Sequence, residues 1–316
     1  MRQRERSPIE KSCPEDPNAV EKGFSVAGRR AAFGVGIACL LALGFALCAL
    51  AGCDPERSKR HGNPSKIVTL TPSATEIVAA LGATGRLVGV DEYSTFPPEV
   101  NGLPRVGSFL QPSFEHIVRL RPDLVVADDV HAGAASALRG AGIDVLLTPM
   151  HSLPDLRRAF TVIGERLGLA GPAAAAVAAL DDAVAAARAR KRGAGVRVLI
   201  VIDREAGGLG NMIAASNGSW LDELVAITGA QNVLAGTAAR YPKVSPEELL
   251  RARPDVILDV SYAASPERAA AEWARLPELP AVAHGRVRVL KDPFLLGPSP
   301  RVAEALAALE AALAPP

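Results

Sequence analysis

Two carboxylates and an imidazole lie close together near the middle of the chain, and these side chains are well suited to metal chemistry. Asp128 and Asp129 follow a short apolar run, and His131 comes two residues later. Carboxylate oxygens and imidazole nitrogens are common metal ligands, so the segment could hold a metal ion, and His131 could be an axial ligand of haem iron. The same pattern is typical of a solvated loop that caps a helix, and both interpretations stay open.

The motifs of common enzyme classes are missing from the sequence. It has no G-x-S-x-G nucleophile elbow, no P-loop and no H-E-x-x-H. The remaining histidines form no spaced pair of the kind that zinc sites use: His61, His116, His151 and His284. These patterns favour a protein that binds its ligand over one that transforms it.

Short β-branched runs alternate with Ala/Leu-rich segments after residue 65. This alternation predicts a largely parallel sheet covered by helices. Strands are predicted at Lys66–Leu70, Arg86–Val90, Asp123–Ala127, Ile143–Leu147 and Val196–Ile202. A long tract of strong helix formers, Leu153–Arg192, is interrupted near Gly168–Pro172 and predicts a stiff connector.

The second half of the chain repeats the first. Ser113–Val126 aligns with Ser245–Leu258, and Glu76–Ala83 aligns with Glu223–Ala230, in the same order. The first half carries an extra segment around Glu92–Pro104. The repeat predicts two similar α/β lobes, and a single continuous sheet is the alternative.

The predicted lobes are joined by the helical tract. The first lobe is expected at residues 66–152, the connecting tract at 153–192 and the second lobe at 193–316. A polar tether, residues 53–65, precedes the first lobe.

The first 52 residues are predicted to be a secretory signal. An uncharged apolar run, Ala31–Leu50, follows Arg29 and Arg30 and closes on Leu50-Ala-Gly-Cys53, which resembles a bacterial lipobox. Cys53 would then be lipidated and become the first residue of the mature chain. The alternative is that the same run, about 20 residues long, spans the bilayer as an anchor helix. Either way the lobes are expected on the periplasmic side of a bacterial membrane.

Composition excludes several classes of protein. The 316 residues carry 35 Lys and Arg against 34 Asp and Glu, and 49% of them are hydrophobic. Binding to nucleic acid requires a clustered excess of Lys and Arg, so no nucleic-acid partner is expected. The hydrophobic fraction excludes general disorder.

Several motifs together resemble the periplasmic binding proteins for cobalamin and ferric chelates. They are Ile67–Glu76, Gly89–Pro98, the two Ser-x-Glu…Arg-Pro-Asp segments and Gly297–Arg301. The resemblance implies a class III periplasmic binding protein, with two Rossmann-like lobes on a rigid backbone helix. It also implies that the chain is not an enzyme, has no cofactor of its own, and delivers bound cobalamin, haem or ferric siderophore to an ABC-type permease and its ATPase. The alternative is a secreted chelatase-like α/β enzyme that acts on a metallated macrocycle.

The same resemblance implies which residues contact the ligand. Open α/β sheets bind ligands in loops at the carboxyl ends of their strands, and flat aromatic side chains suit a planar macrocycle. The implied ligand-binding residues are Phe96, Tyr241 and Asp292, then Tyr93 and Phe294, and Asp128 in the loop described above.

Two positions depart from the cobalamin-binding pattern. The Asp128-Asp129 loop stands where a Trp is expected, and Leu296 stands where a cationic Arg is expected. These departures weaken the expectation of cobalamin but leave the family resemblance intact.

Glu115 and Glu247 occupy equivalent positions in the two repeats. Each comes two residues after a Ser that is predicted to cap a helix, so each would favour the helix dipole. The resemblance implies a second role, in which one exposed Glu on each lobe docks onto arginines of the permease. The two roles are compatible.

Overall fold

The computed structural model describes residues 62–315, and the segment His61–Pro316 forms one compact unit. The predicted signal segment, the lipidation site Cys53 and the tether up to residue 61 lie outside the described residues. The described chain contains two separate sheets with helices around them. The predicted α/β fold with two lobes is confirmed, and the alternative of one continuous sheet is wrong.

The first lobe is built on a four-stranded parallel sheet. Its strands are β1 (Ile67–Thr69), β2 (Leu87–Gly89), β3 (Leu124–Ala127) and β4 (Val145–Leu147), and its helices are α1 (Pro72–Ala80), α2 (Phe114–Leu120) and α3 (Ala132–Gly140). The strand order is β2-β1-β3-β4. Every residue of β1 and β3 is buried, as expected for strands of a parallel sheet that is covered on both faces.

Two helices connect the sheets, α4 (Leu153–Leu167) and α5 (Ala170–Arg190). The interruption predicted near Gly168 is confirmed: Gly168 ends α4 with a φ of 71°, a left-handed conformation that glycine adopts readily. The two helices pack closely at Gly164, where a Cβ would lie 2.4 Å from the Cβ of Ala173. The connector is therefore a packed helix pair.

The second lobe is built on a six-stranded mixed sheet. Its strands are β5 (Arg197–Asp203), β6 (Met212–Ala214), β7 (Gln231–Asn232), β8 (Lys243–Val244), β9 (Val256–Asp259) and β10 (Val287–Val289), and its helices are α6 (Trp220–Thr228), α7 (Pro246–Ala252), α8 (Pro266–Trp273), α9 (Pro280–Ala283) and α10 (Val302–Leu313). The order is β10-β9-β5-β6-β8, and β7 also pairs with β5. Strand β6 is antiparallel to both of its neighbours, unlike any strand of the first sheet.

One hydrophobic core runs through both lobes and the connector. It includes Ile77 of the first lobe, Phe160 of the connector, and Leu224 and Leu306 of the second lobe. Two smaller clusters belong to one lobe each. Because close-packed apolar side chains resist sliding, this shared core predicts that the lobes move little relative to each other.

Candidate functional site

Loops from the two lobes meet around the guanidinium of Arg301. Its carbon lies 4.2 Å from the ring centroid of Phe96 and 4.8 Å from that of Phe294. Phe96 belongs to the segment that follows β2 in the first lobe, and Phe294 to the segment that follows β10 in the second. The structure thus brings together two of the predicted ligand-binding residues, both in contact with one cation.

Arg301 is held by a buried carboxylate from the first lobe. Its Nη2 donates a hydrogen bond to Oε1 of Glu76 at 2.6 Å, and its Nε donates to Oε2 at 3.1 Å. Ser299 Oγ donates to the same Oε2 at 2.5 Å. Two parallel hydrogen bonds between a guanidinium and a carboxylate fix the plane of the guanidinium, so Glu76 sets the orientation of the cation that both rings contact.

Asp292 lies beside a third aromatic ring. Tyr262, in the loop after β9, donates its hydroxyl hydrogen to the carbonyl of Lys291 at 3.1 Å, and Lys291 Nζ lies 5.1 Å from the Tyr262 ring centroid. Burial and, to a smaller extent, the carboxylate of Asp292 raise the pKa of the Tyr262 phenol. The segment from Lys291 to Phe294 therefore presents charged and aromatic groups together.

Tyr93 and Tyr241 are the remaining aromatic residues of the predicted site. Tyr93 is exposed, and its backbone N–H donates to the Asp91 carboxylate at 2.9 Å, which anchors the loop. Asp91 itself is buried, and burial raises its pKa. Tyr241 is half exposed and lies two residues before β8, at the opposite edge of the second sheet from β10. Of the predicted ligand-binding residues, Phe96 and Phe294 therefore lie against Arg301, whereas Tyr241 lies at the other edge of the second sheet.

The carboxylates of Asp128 and Asp129 lie close to the imidazole of His151. His151 Nε2 lies 2.7 Å from Oδ1 of Asp129 and 3.2 Å from Oδ1 of Asp128, and the three ligand atoms lie within 4.8 Å of one another. Burial, followed by the contact with Asp129, raises the pKa of Asp128 to about 6. The hydrogen bond from the Asp128 carboxyl, together with that from His151, lowers the pKa of Asp129. A proton on Asp128 relieves the repulsion between the two carboxylates.

His131 is not part of this cluster. Its Nε2 donates to the backbone carbonyl of Phe109 at 2.7 Å, and its ring stands edge-on to the Phe109 ring. His131 thus lies outside the group that Asp128 and Asp129 form with His151, and its role as a metal or haem ligand stays a prediction. His151, which follows β4, takes the place next to Asp129.

Glu115 and Glu247 both lie exposed in the first turn of a helix that a serine caps. Ser113 Oγ accepts a hydrogen bond from the N–H of His116 at 3.3 Å, at the start of α2. Ser245 forms a reciprocal capping box with Glu248 at the start of α7. Neither cap uses the carboxylate of Glu115 or Glu247. Glu115 accepts a hydrogen bond from Nη2 of Arg119 at 2.5 Å, an exposed pair on the same helix, so both carboxylates face the surface.

Four residues of these polar groups have no predicted role: Glu76, His151, Ser299 and Arg301. Signals for two of them were present in the pattern. Glu76 is the repeat equivalent of Glu223, and Arg301 ends the Gly297–Arg301 motif. Their pairing depends on a contact between residues 225 positions apart, which no local pattern reveals.

Comparison with known proteins gives consistent matches over the same segment. A family model described as periplasmic binding protein matches residues 67–294. The vitamin B12-binding protein of Vibrio parahaemolyticus serotype O3:K6 is 27% identical over 244 residues, which cover 76% of this chain and 86% of that protein. An ABC transporter substrate-binding lipoprotein of Bacillus subtilis, YvrC, is 26% identical over 261 residues, covering 80% of this chain and 81% of that one. Among solved structures, the apo form of the periplasmic heme-binding protein RhuT from Roseiflexus sp. RS-1 superimposes with a TM-score of 0.70 and 29% identity, covering 79% of this chain and 97% of that chain.

Proposed function

Because this chain belongs to the periplasmic binding protein family, we propose that it is the extracytoplasmic substrate-binding component of an ABC importer, tethered to its membrane through Cys53. Its cargo is a metal chelate held between the two lobes. The observation that carries this proposal is the convergence of Phe96 and Phe294, one from each lobe, on a single guanidinium. Flat aromatic surfaces with a few fixed polar groups are typical of sites for large planar ligands.

The character of the polar groups favours a chelate whose metal already carries its axial ligands, such as cobalamin. Burial raises the pKa of both the Tyr241 and the Tyr262 phenols, so neither is poised to bind iron as a phenolate. The charge of Arg301 is balanced by Glu76, which makes it a weak partner for the acidic groups of haem. A vitamin B12-binding relative at 27% identity and a heme-binding one at 29% both support a macrocyclic metal chelate as the cargo.

A calorimetric titration tests the cargo. The purified protein is titrated with cyanocobalamin, haemin and ferrichrome, a ferric siderophore, at pH 7. We expect saturable binding of cyanocobalamin at micromolar or tighter affinity, and weaker binding of the other two. Tighter binding of haemin or ferrichrome would overturn the choice of cobalamin, and a folded protein that binds none of the three would contradict the proposal.

Docking onto the permease is proposed to use Glu115 and Glu247. Their equivalent positions at the starts of α2 and α7 give each lobe one exposed carboxylate, and two like anchors suit a partner that presents two basic pockets. The double variant Glu115→Ala, Glu247→Ala is expected to bind ligand normally and to abolish uptake of radiolabelled ligand in cells. The matched control is Glu165→Ala, Glu304→Ala, which removes two exposed carboxylates elsewhere and leaves uptake intact. Uptake that survives in the first variant would contradict docking through these residues.

A further inference from the structure

We propose that the ion pair of Glu76 and Arg301 is a tie between the lobes that positions the two phenyl rings of the cleft, and that Arg301 thereby sets the affinity for the ligand. This inference rests on the proposed function only in taking the space between the lobes as the ligand site. It assigns a positioning role to both charged residues.

The tie joins the two lobes directly. Glu76 lies on α1 of the first lobe, whereas Arg301 immediately precedes α10 and follows the last strand of the second lobe. Ser299 strengthens the junction, since its Oγ donates to Glu76 and accepts the backbone N–H of Arg301 at 3.1 Å. The pair is largely shielded from water, with 13% of the Arg301 side chain and 8% of the Glu76 side chain exposed. Shielded and doubly hydrogen-bonded, it is less weakened by solvent than a surface ion pair.

The tie also controls the aromatic walls. A guanidinium is planar and stacks on aromatic faces, while an ammonium is a compact point charge without a face. Glu76 binds one edge of the guanidinium through Nε and Nη2, and the guanidinium carbon lies 4.2 Å from the ring centroid of Phe96 and 4.8 Å from that of Phe294. Removing either charged residue frees both rings at once, although the rings belong to different lobes.

The repeat supplies a matched comparison at Glu223. This residue occupies the position of Glu76 in the second half, and its Oε2 accepts the backbone N–H of Leu153, the first residue of α4, at 2.8 Å. Each Glu therefore contacts the start of a helix that comes after the sheet of the other lobe: Glu76 contacts Arg301 just before α10, and Glu223 contacts Leu153 at the start of α4. Only Glu76 binds a side chain that lies between aromatic rings, so only Glu76 is expected to influence ligand binding.

The test combines affinity with coupling. Five variants are titrated with cyanocobalamin, haemin and ferrichrome, and the melting temperature of each is measured. Three are single variants of the pair (Arg301→Met, Arg301→Lys and Glu76→Gln), the fourth combines Arg301→Met with Glu76→Gln, and the fifth is the control Glu223→Gln. We expect Arg301→Met and Glu76→Gln each to weaken binding at least about tenfold, and the double variant to be no weaker than the worse single variant, because residues of one unit are not additive. Arg301→Lys keeps the charge and the melting temperature but not the affinity. Glu223→Gln leaves the affinity unchanged.

Two results would overturn the proposal. One is an affinity of folded Arg301→Met equal to that of the unaltered protein. The other is additive losses in the double variant, which would show that the two residues act separately.

Hydrogen exchange tests the role of the Glu76–Arg301 pair independently of whether the protein binds a chelate. If the unaltered protein binds none of the three chelates, the function fails, but the tie remains testable in the free protein. Arg301→Met is then expected to raise amide exchange in the peptides that contain Phe96 and Phe294, and not in those of β5 or β9. Unchanged exchange in both peptides would overturn the tie.

Discussion

Two ion-pair centres with the same chemistry lie in very different places. In the second lobe, Arg204 Nε donates to Oδ2 of Asp259 at 2.9 Å, and the indole N–H of Trp273 donates to the same oxygen at 2.9 Å. The side chains of Arg204 and Asp259 are 0% exposed. The pair of Arg301 and Glu76 instead lies between the lobes, keeps some exposure and borders two aromatic rings.

The difference indicates two roles for one kind of interaction. A fully dehydrated pair inside one lobe can be broken only at the cost of leaving a buried charge without its partner, so it specifies how that lobe folds. A pair between lobes, in contact with solvent at its edge, holds the geometry of a cleft. The first centre is therefore expected to affect stability alone, and the second to affect ligand binding as well as stability.

The largest expected effect follows from removing the buried cation. Arg204→Met leaves the Asp259 carboxylate without its charged partner, which is expected to cost about 3–5 kcal/mol of unfolding free energy. Chemical denaturation of the variant measures this loss. The control is Arg268→Met, whose side chain is 64% exposed and whose loss is expected to change stability little. A variant at Arg204 that is as stable as the control would remove the distinction between the two centres.

Removing an aromatic ring of the cleft tests whether the centre between the lobes affects ligand binding. Phe96→Ala is expected to weaken ligand binding by about tenfold to a hundredfold, because it removes one aromatic wall, while changing the melting temperature little. Phe114→Ala is the matched control, since Phe114 is similarly exposed but lies on α2. Equal affinities of the two variants in a calorimetric titration would show that the ring at position 96 is not a ligand contact.

The stability of the protein is expected to depend on pH through a third carboxylate, that of Asp128. Burial raises its pKa from 3.8 to about 6, so the folded protein holds this proton more tightly than the unfolded chain does. The resulting stabilisation is fully present below about pH 4 and is lost as the pH rises through about 6. We expect the stability of the unaltered protein relative to Asp128→Asn to fall by about 1–2 kcal/mol over this interval. Denaturation curves at several pH values check this, and a rise in relative stability would contradict it.

The smallest effect compares the two capping serines. The double variant Ser245→Ala, Glu248→Ala breaks both hydrogen bonds of the capping box, because one is accepted by the serine hydroxyl and the other by the Glu248 carboxylate, whereas Ser113→Ala breaks a single cap bond. Each loss is expected to be about 1 kcal/mol, with the larger loss at the capping box. Thermal melts of the two variants measure the difference. A larger loss at Ser113 would mean that the first lobe depends more than the second on how its exposed helix begins.

The fold was largely predictable because its signals are local. The strand at Leu124–Ala127 is a continuous apolar run, and the helix at Pro246–Ala252 begins with Ser, Pro and two glutamates. Gly168 marks the end of α4 for the same reason, since a glycine at that position suits a left-handed helix end. Each of these features depends on neighbours within a few residues.

The site was only partly predictable because its contacts are long-range. Phe96 and Phe294 could be selected from aromatic residues in loops, but the cation between them could not. The pairing of Glu76 with Arg301 depends on how two lobes are placed by the connector. His151 was missed for a related reason: it meets Asp129 only because β3 and β4 are neighbours in the sheet.

The most direct test of the account measures both properties in one pair of variants. Arg301→Met alters the centre between the lobes, and Trp273→Phe removes one hydrogen bond from the centre within the second lobe. Cyanocobalamin affinity and melting temperature are measured for each variant alongside the unaltered protein. We expect Arg301→Met to lose both affinity and thermal stability, because it also leaves the buried Glu76 carboxylate without its cation, and Trp273→Phe to lose thermal stability at unchanged affinity. An unchanged affinity of Arg301→Met, or an equal loss of affinity in both variants, would contradict the distinction between the two centres.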